Sequence, residues 1–195
     1  MSSSNSSKPL LSEREAAAPS SGERFVFTRT GAETGGEVLA FDFFVAPRGG
    51  VPMRHHHDRQ AEVFRCVRGE LTMTVAGDTR KLRPGEEVVL APGTVHSLVN
   101  EGDDEVQCEV EYRPAGRNEA WFKIMSGFTW KHGRDPGVLD LAPFINDVDL
   151  YVAGPPRWLQ RALFGWVLKP IALALGRRER MLAAASEAYG RPFSW

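Results

Sequence analysis

Four residues whose side chains could together bind a metal ion stand at two places in the chain. His55 and His57 are separated by one residue, so on an extended strand both imidazoles project to the same face. Glu62 begins the next β-rich run, and His96 opens a later one. Three imidazoles and a carboxylate suit Fe, Mn, Ni, Cu, Co or Zn. On a six-coordinate ion they would leave two positions open, which indicates a reactive site rather than a structural one.

The histidine run is ambiguous when it is considered alone. Three adjacent histidines cannot all face one ion from an extended strand, so we expect His56 to point away from the site. A short histidine tract is also typical of a solvated loop. The metal prediction therefore depends on Glu62 and His96. Cys66 shares the strand face of Glu62 and is a further candidate to line the same cavity.

Short strands are the elements that must position these residues. Between residues 24 and 114, β-rich runs alternate with breaks that contain Gly, Pro, Asp or Asn. Several short strands at near-regular spacing, with no helical pattern among them, predict an antiparallel sandwich or barrel. The predicted strands are Val38–Val45, Glu62–Val67, Leu71–Val75, Glu87–Leu90, His96–Val99 and Val106–Tyr112.

The segments that carry the candidate ligands resemble the two signature motifs of the cupins. Gly49-x5-His55-x-His57-x4-Glu62-x6-Gly69 fits the first motif at every fixed position. Gly85-x5-Ala91-Pro92-Gly93-x2-His96-x3-Asn100 resembles the second, except that Ala91 stands where the family usually has proline. The proline is displaced by one residue to Pro92, and His96 keeps its register. The resemblance covers residues 37–114.

The resemblance implies a cupin-type jelly-roll β-barrel, which we place over residues 23–114. With the C-terminal α-helical extension predicted over residues 115–195, the expected fold is mainly β. The resemblance also implies one divalent metal ion, either Fe, Mn, Ni or Zn, and pairing of two barrels as a homodimer. The implied metal ligands are His55, His57, Glu62 and His96.

Two segments lie outside the predicted barrel. Residues 1–22 hold eight serines and no aromatic residue, which predicts a flexible tail. The extension carries apolar residues at spacings of three to four, which predicts helices. These helices are expected over Glu119–Lys131, Val138–Leu150, Trp158–Leu175 and Arg177–Tyr189.

The most hydrophobic run, Trp158–Gly176, is a poor candidate for a membrane span. Arg161 and Lys169 interrupt it, and Pro170 would kink a helix there. We expect it to pack against the barrel or a second subunit, with a helix lying in a membrane surface as the alternative.

Composition restricts the classes of partner. Lys and Arg total 24 and Asp and Glu total 25, so the net charge is −1. Without a basic excess, nucleic acid is not an expected partner, and a small molecule is. Two cysteines do not make a disulfide framework, so a cytoplasmic location is expected.

The expected function is that of a metal-dependent enzyme acting on a small apolar or aromatic molecule. Dioxygenase-type oxidoreductase chemistry is favoured, with Glu62 able to act as a catalytic base as well as a ligand. A non-redox isomerase, cyclase or lyase is one alternative, and a non-catalytic small-molecule-binding cupin is another. The candidate residues for an apolar cavity are Phe43, Phe64, Met73 and Leu98.

Overall fold

The computed structural model describes residues 9–195 and contains eleven strands within them. In chain order the strands are β1 (Glu15–Ala18), β2 (Glu23–Arg29), β3 (Leu39–Val45), β4 (Gly50–His56), β5 (Ala61–Arg68), β6 (Leu71–Val75), β7 (Asp78–Leu82), β8 (Glu87–Leu90), β9 (His96–Val99), β10 (Val106–Arg113) and β11 (Tyr151–Val152). All six strands predicted from the sequence are present. The sequence pattern did not predict β1, β2, β7 or β11. In the region of β4 it assigned only His55 and His57 to a strand, and His57 follows the end of β4.

Two antiparallel sheets form the barrel. One has the order β1-β2-β3-β10-β5-β8 and the other the order β11-β4-β9-β6-β7. Alternation along each strand turns one set of side chains inward, as in β5, where Glu62, Phe64 and Cys66 are buried. Phe25, Phe41 and other apolar side chains fill the space between the sheets. The predicted mainly β jelly-roll fold with C-terminal helices is confirmed.

The helical extension follows the barrel directly. Its helices are α1 (Asn118–His132), α2 (Val138–Leu141), α3 (Arg157–Ala162), α4 (Lys169–Ala174) and α5 (Arg177–Tyr189), with a 3₁₀ turn at Ile145–Asp147. A π-helical segment, Leu163–Leu168, joins α3 to α4, so residues 157–174 form one continuous helix, here called the α3–α4 helix. Helices α1 and α5 pack around a second apolar core.

The prediction of a helix over Val138–Leu150 is wrong beyond Leu141. Pro143 follows α2, and a proline in a helix interior removes a hydrogen bond and clashes with the preceding turn. The chain instead forms a 3₁₀ turn and then β11, which pairs with β4. This departure from helix brings the extension into the barrel wall.

The prediction of a flexible tail over residues 1–22 is wrong for the strand within it. Residues 1–8 lie outside the described residues, whereas β1 pairs with β2. The backbone N–H of Ala17 donates to Ser126 Oγ on α1, and that of Leu11 donates to the carbonyl of Ala188 on α5. Small alanine side chains let β1, the edge strand of its sheet, lie against α1.

Between residues 9 and 195, no helix is both long enough and apolar enough to cross a bilayer.

Candidate metal centre

Neighbouring strands of one sheet bring the three candidate histidines together. His55 on β4 lies opposite His96 on β9, and His57 follows at the end of β4. One ring nitrogen from each imidazole lies within 4.8 Å of the others. Glu62, at the start of β5 in the opposite sheet, faces this group. The barrel thus places four residues from β4 and its end, β5 and β9 at one point in its interior.

The carboxylate of Glu62 lies between two of the imidazoles. Its Oε1 is 2.9 Å from His57 Nε2, and its Oε2 is 3.1 Å from His96 Nε2. All four side chains are buried, and Glu62 is 1% exposed. The Glu62 carboxylate is therefore close enough to His57 and His96 to contact a cation that these two imidazoles bind.

Backbone carbonyls fix how each imidazole is protonated. His55 Nδ1 lies 2.8 Å from the carbonyl oxygen of Met53, and His96 Nδ1 lies 2.9 Å from that of Thr94. The Nδ1 of His57 contacts the carbonyl of Asp149. A carbonyl oxygen can only accept, so each Nδ1 carries the proton and donates. Each Nε2 is therefore the nitrogen available to bind a metal.

The donor atoms fit a metal ion because they lack other partners. His57 Nε2 and both Glu62 oxygens are buried, and none makes a hydrogen bond of acceptable geometry, although N–O distances are near 3 Å. Lone pairs on a neutral imidazole and on a carboxylate repel at this distance unless a positive charge lies with them. The donor set of imidazole and carboxylate suits a divalent transition metal.

The pKa values of the cluster show the same preference for a positive charge. Burial opposes protonation of His57, but the Glu62 carboxylate outweighs it and raises the pKa of His57. The nearby imidazoles hold the pKa of Glu62 well below its ordinary value despite complete burial. Burial, followed by repulsion from His96, lowers the pKa of His55 to about 4. The Glu62 carboxylate therefore favours a positive charge at the centre of the cluster, which either a proton or a metal cation could supply.

Of the remaining residues considered from the sequence, His56 and Cys66 lie outside the cluster. The ring of His56 stacks on Tyr151, and its Nε2 is 3.5 Å from Asp58, so it points away from the site as expected. Cys66 is buried opposite Cys108 in the neighbouring strand, and it is not among the described residues that line the cavity.

Asp149 is a site residue that the sequence did not indicate. Its carbonyl accepts from His57, and its Oδ2 accepts from the backbone N–H groups of Arg59 (2.7 Å) and Gln60 (3.1 Å). It stands just before β11, in a region predicted as helix. The extension thereby orients a candidate ligand and holds the loop that follows it. No local pattern could have indicated this contact over ninety residues of chain.

Tyr112, at the end of the predicted strand Val106–Tyr112, is a second residue near the cluster. It lies opposite Glu62 in the strand register and lines the cavity. Burial, and then the Glu62 charge, raises the pKa of Tyr112 well above its ordinary value. Its hydroxyl therefore stays protonated and able to donate a hydrogen bond next to the cluster.

A cavity of about 410 Å³ extends from the cluster toward the helical extension. Of the four apolar candidates, Phe43, Phe64 and Leu98 line it, whereas Met73 is buried in the barrel core and is not among the lining residues. The extension supplies a second wall that includes Trp121, Phe122, Met125, Leu141, Val148 and Phe164.

One polar exception in the cavity lining is Glu23 on β2. Its carboxylate accepts from the hydroxyl of Ser21, yet burial dominates and raises the pKa of Glu23 to about 7. An acid with this pKa is partly protonated near neutrality.

Comparison with protein families gives one match, to the model described as the cupin domain, over residues 41–110. That range includes all four candidate ligands. No curated protein sequence gives a significant match.

Similar solved structures include a sugar phosphate isomerase from Silicibacter pomeroyi, with 20% identity and a TM-score of 0.43 over 47% of this chain and 59% of that one. This is less than two thirds of that protein's length. KdgF from Halomonas sp. has 17% identity and a TM-score of 0.43 over 56% of this chain and 89% of its own. A predicted oxalate decarboxylase from Thermotoga maritima has 16% identity and a TM-score of 0.45, with coverages of 47% and 80%.

Proposed function

Because residues 41–110 match the cupin domain, we propose that the protein is a metal-dependent enzyme acting on a small apolar or aromatic molecule. The observation that carries the proposal is the convergence of three Nε2 atoms and a buried carboxylate at one end of an apolar cavity. His55, His57, Glu62 and His96 would hold one divalent ion. A volume near 410 Å³ is in the range of small-molecule sites.

The cavity lining supports an apolar substrate. Aromatic and aliphatic side chains make up most of it, and no Lys or Arg is among the described residues that line it. A phosphate or a second carboxylate on a substrate would find no cationic side chain there. A planar aromatic or aliphatic molecule would instead pack against Phe25, Phe41 and Phe122.

Polar groups near the cluster would orient such a molecule. Tyr112 can donate a hydrogen bond to an oxygen atom of the substrate, because its hydroxyl stays protonated. Glu62 lines the cavity beside the candidate metal centre, and we propose it as the catalytic base as well as a ligand. The surrounding apolar walls exclude water and strengthen these interactions.

The metal identity decides between two reaction types. When bound, a redox-active ion such as Fe or Mn supplies O₂ chemistry of the dioxygenase type, and a closed-shell ion such as Zn supplies polarisation of a substrate carbonyl. The dioxygenase is favoured because the four protein ligands leave open positions and because the lining suits phenolic or diketone substrates.

Oxygen consumption tests the proposal directly. Purified protein loaded with Fe, Mn, Ni or Zn would be mixed with phenolic and diketone compounds, and O₂ uptake and product formation would be recorded in air and under strict anaerobiosis. We expect O₂ uptake with Fe or Mn that His57→Ala abolishes and that the matched control His56→Ala retains.

Two outcomes would reassign the activity. Turnover that persists without O₂ and with Zn or Ni would favour the non-redox isomerase, cyclase or lyase. Ligand binding without turnover, unchanged by His57→Ala, would point to a non-catalytic binding protein.

A further inference from the structure

The α3–α4 helix presents a broad apolar surface on the outside of the molecule. Trp166 is 83% exposed and Trp158 is 69% exposed, values that are unusual for tryptophan. Apolar side chains accompany them along the helix and just past its end. We define the α3–α4 ridge as Trp158, Leu159, Leu163, Trp166, Val167, Ile171, Leu173 and Leu175, all of which are exposed. An exposed apolar area of this extent marks an interaction surface.

A narrow stripe of the helix joins it to the rest of the protein. Gln160 bonds to the backbone of Val152 and Pro155, and Phe164 reaches into the cavity wall. Ala172 is fully buried. Phe164 follows Gln160 by four residues and Ala172 follows Phe164 by eight, so all three lie on one side of the helix. The ridge covers the opposite sides, so its exposure does not result from a loosely attached segment.

The charge around the ridge has one sign. Residues 157–178 contain five basic residues and no acidic residue, although the whole chain has a net charge of −1. Arg157, Lys169 and Arg177 contact acidic residues of neighbouring elements. Arg161 bonds to the Tyr151 hydroxyl, and within residues 9–195 neither it nor Arg178 has an acidic partner. The apolar ridge is therefore flanked by uncompensated positive charge.

We propose that the α3–α4 helix lies in the surface of an anionic lipid bilayer, with the ridge inserted among the acyl chains. Apolar residues that include tryptophan, together with basic residues and no acidic ones, are the composition of interfacial helices. Tryptophan favours the level of the headgroups. Anionic headgroups supply the charge that Arg161 and Arg178 lack.

A second copy of the chain fits this surface less well. Two-fold pairing through the ridge would bring the same surface of each subunit together, and with it two sets of unpaired arginines. Like charges across an interface oppose association, whereas anionic lipid is complementary. The helix is about 27 Å long at 1.5 Å per residue, enough to lie along a membrane surface. The proposal does not depend on the metal centre, because neither tryptophan lines the cavity.

Vesicle flotation with the full chain tests the proposal. Vesicles of phosphatidylcholine mixed with phosphatidylglycerol are compared with vesicles of phosphatidylcholine alone. We expect the protein to float with the anionic vesicles and to stay behind with the zwitterionic ones. High salt should release it, because screening weakens the attraction between exposed charges.

Paired variants identify the residues responsible. Trp158→Gln with Trp166→Gln should weaken partitioning by about tenfold or more, because both side chains supply apolar area to the membrane surface. The control pair, Val67→Gln with Val89→Gln, removes exposed apolar side chains from β5 and β8 and should bind as the parent does. Circular dichroism checks that each variant is folded.

A second pair of substitutions tests how much the basic side chains contribute to membrane binding. Arg161→Gln with Arg178→Gln should weaken binding to anionic vesicles by about thirtyfold, as expected for two basic residues that each contribute roughly 1 kcal/mol near the surface. Arg80→Gln with Arg83→Gln removes the same charge from the β7 side and should have no effect.

Three results would overturn the proposal. They are failure of the parent chain to bind anionic vesicles, equal binding by the tryptophan pair, and a dimer in solution that the tryptophan pair dissociates. The last result would assign the ridge to a second copy of the chain. The lipid comparison on the parent chain remains decisive even if a variant is unstable.

Discussion

At the scale of single residues, the site depends on which atoms are left without a partner. Each imidazole uses its Nδ1 on a backbone carbonyl, and His57 and His96 turn their Nε2 atoms toward Glu62. The sequence indicated the four candidate ligands because motif spacing records which strand face each occupies. It did not indicate Asp149, because the contact with His57 depends on tertiary folding of a distant segment.

Asp149 offers a test of how strongly the extension supports the cluster. Asp149→Ala removes the acceptor for the N–H groups of Arg59 and Gln60 and frees the loop after His57. We expect metal affinity to fall up to about 10-fold, because the loop between His57 and Glu62 is held less firmly while the carbonyl that accepts from His57 Nδ1 remains. Asp149→Asn, which keeps one acceptor oxygen, should lose less. Asp147→Ala, a control two residues away, should bind metal normally in the same titration.

Glu23 gives a pH dependence with a definite sign. The pKa of Glu23 is about 7 in the folded protein, whereas its ordinary value, which applies to the unfolded chain, is 4.5. Between these pH values the folded state therefore binds more protons than the unfolded state does. The stabilisation of the folded state by protonated Glu23 is fully present below pH 4.5 and is lost as the pH rises through about 7. At 1.36 kcal/mol per pKa unit, the loss is on the order of 3 kcal/mol.

Glu23→Gln should therefore abolish this decline and leave the variant more stable than the parent above pH 7. Urea unfolding at several pH values measures the difference. Glu37→Gln, at an exposed position, serves as the control. A Glu23→Gln variant whose stability follows the parental pH profile would show that the carboxylate is solvated in the folded state.

At the scale of elements, regular patterning was predictable and irregular connections were not. The boundaries of α5 and β6 agree with the sequence prediction residue for residue, because each has a clear period and flanking breaks. Pro143 ends the helix expected over Val138–Leu150, and the residues after it become β11. Alternation could not reveal β11, since a two-residue strand is fixed by its pairing with β4 rather than by its own sequence.

The packing of α1 on α5 depends on one glycine. A Cβ atom at Gly127 would lie 2.5 Å from the Cα of Ala185, so the two backbones would have to separate. Gly127→Ala should destabilise the protein by about 1–3 kcal/mol, as overpacked cores do. Gly137→Ala adds the same methyl group at 3.7 Å from its nearest neighbour and should be almost neutral. Equal unfolding midpoints for the two variants would refute the close approach of these helices.

At the scale of the whole molecule, the barrel and the extension form a shared core. The ring of Phe122 on α1 stacks on Phe25 at 4.4 Å between centroids, and the Tyr189 hydroxyl donates to the carbonyl of Glu15. The boundary predicted between residues 114 and 115 marks a change from strands to helices. Side chains from the two sides of this boundary nevertheless pack against each other. Composition alone could not show this, because the apolar face of α1 fits a subunit interface equally well.

Truncation tests this shared core. A chain that ends at Pro114 would expose Phe25 and the cavity, so we expect aggregation or loss of cooperative unfolding. A chain that begins at Pro9 keeps every described contact and should behave as the parent does. Size-exclusion chromatography with mass measurement distinguishes them and also tests the homodimer implied by the cupin resemblance. A stable, monomeric barrel without residues 115–195 would contradict the account.

The most direct test of the central claim is the metal content of the purified chain, measured by mass spectrometry after growth with added metals. We expect about one divalent ion per chain in the parent and in His56→Ala. We expect this ion to be lost in His57→Ala, His96→Ala and Glu62→Gln. Metal at background level in the parent, or equal metal content in all five proteins, would contradict the assignment of His55, His57, Glu62 and His96 as one site.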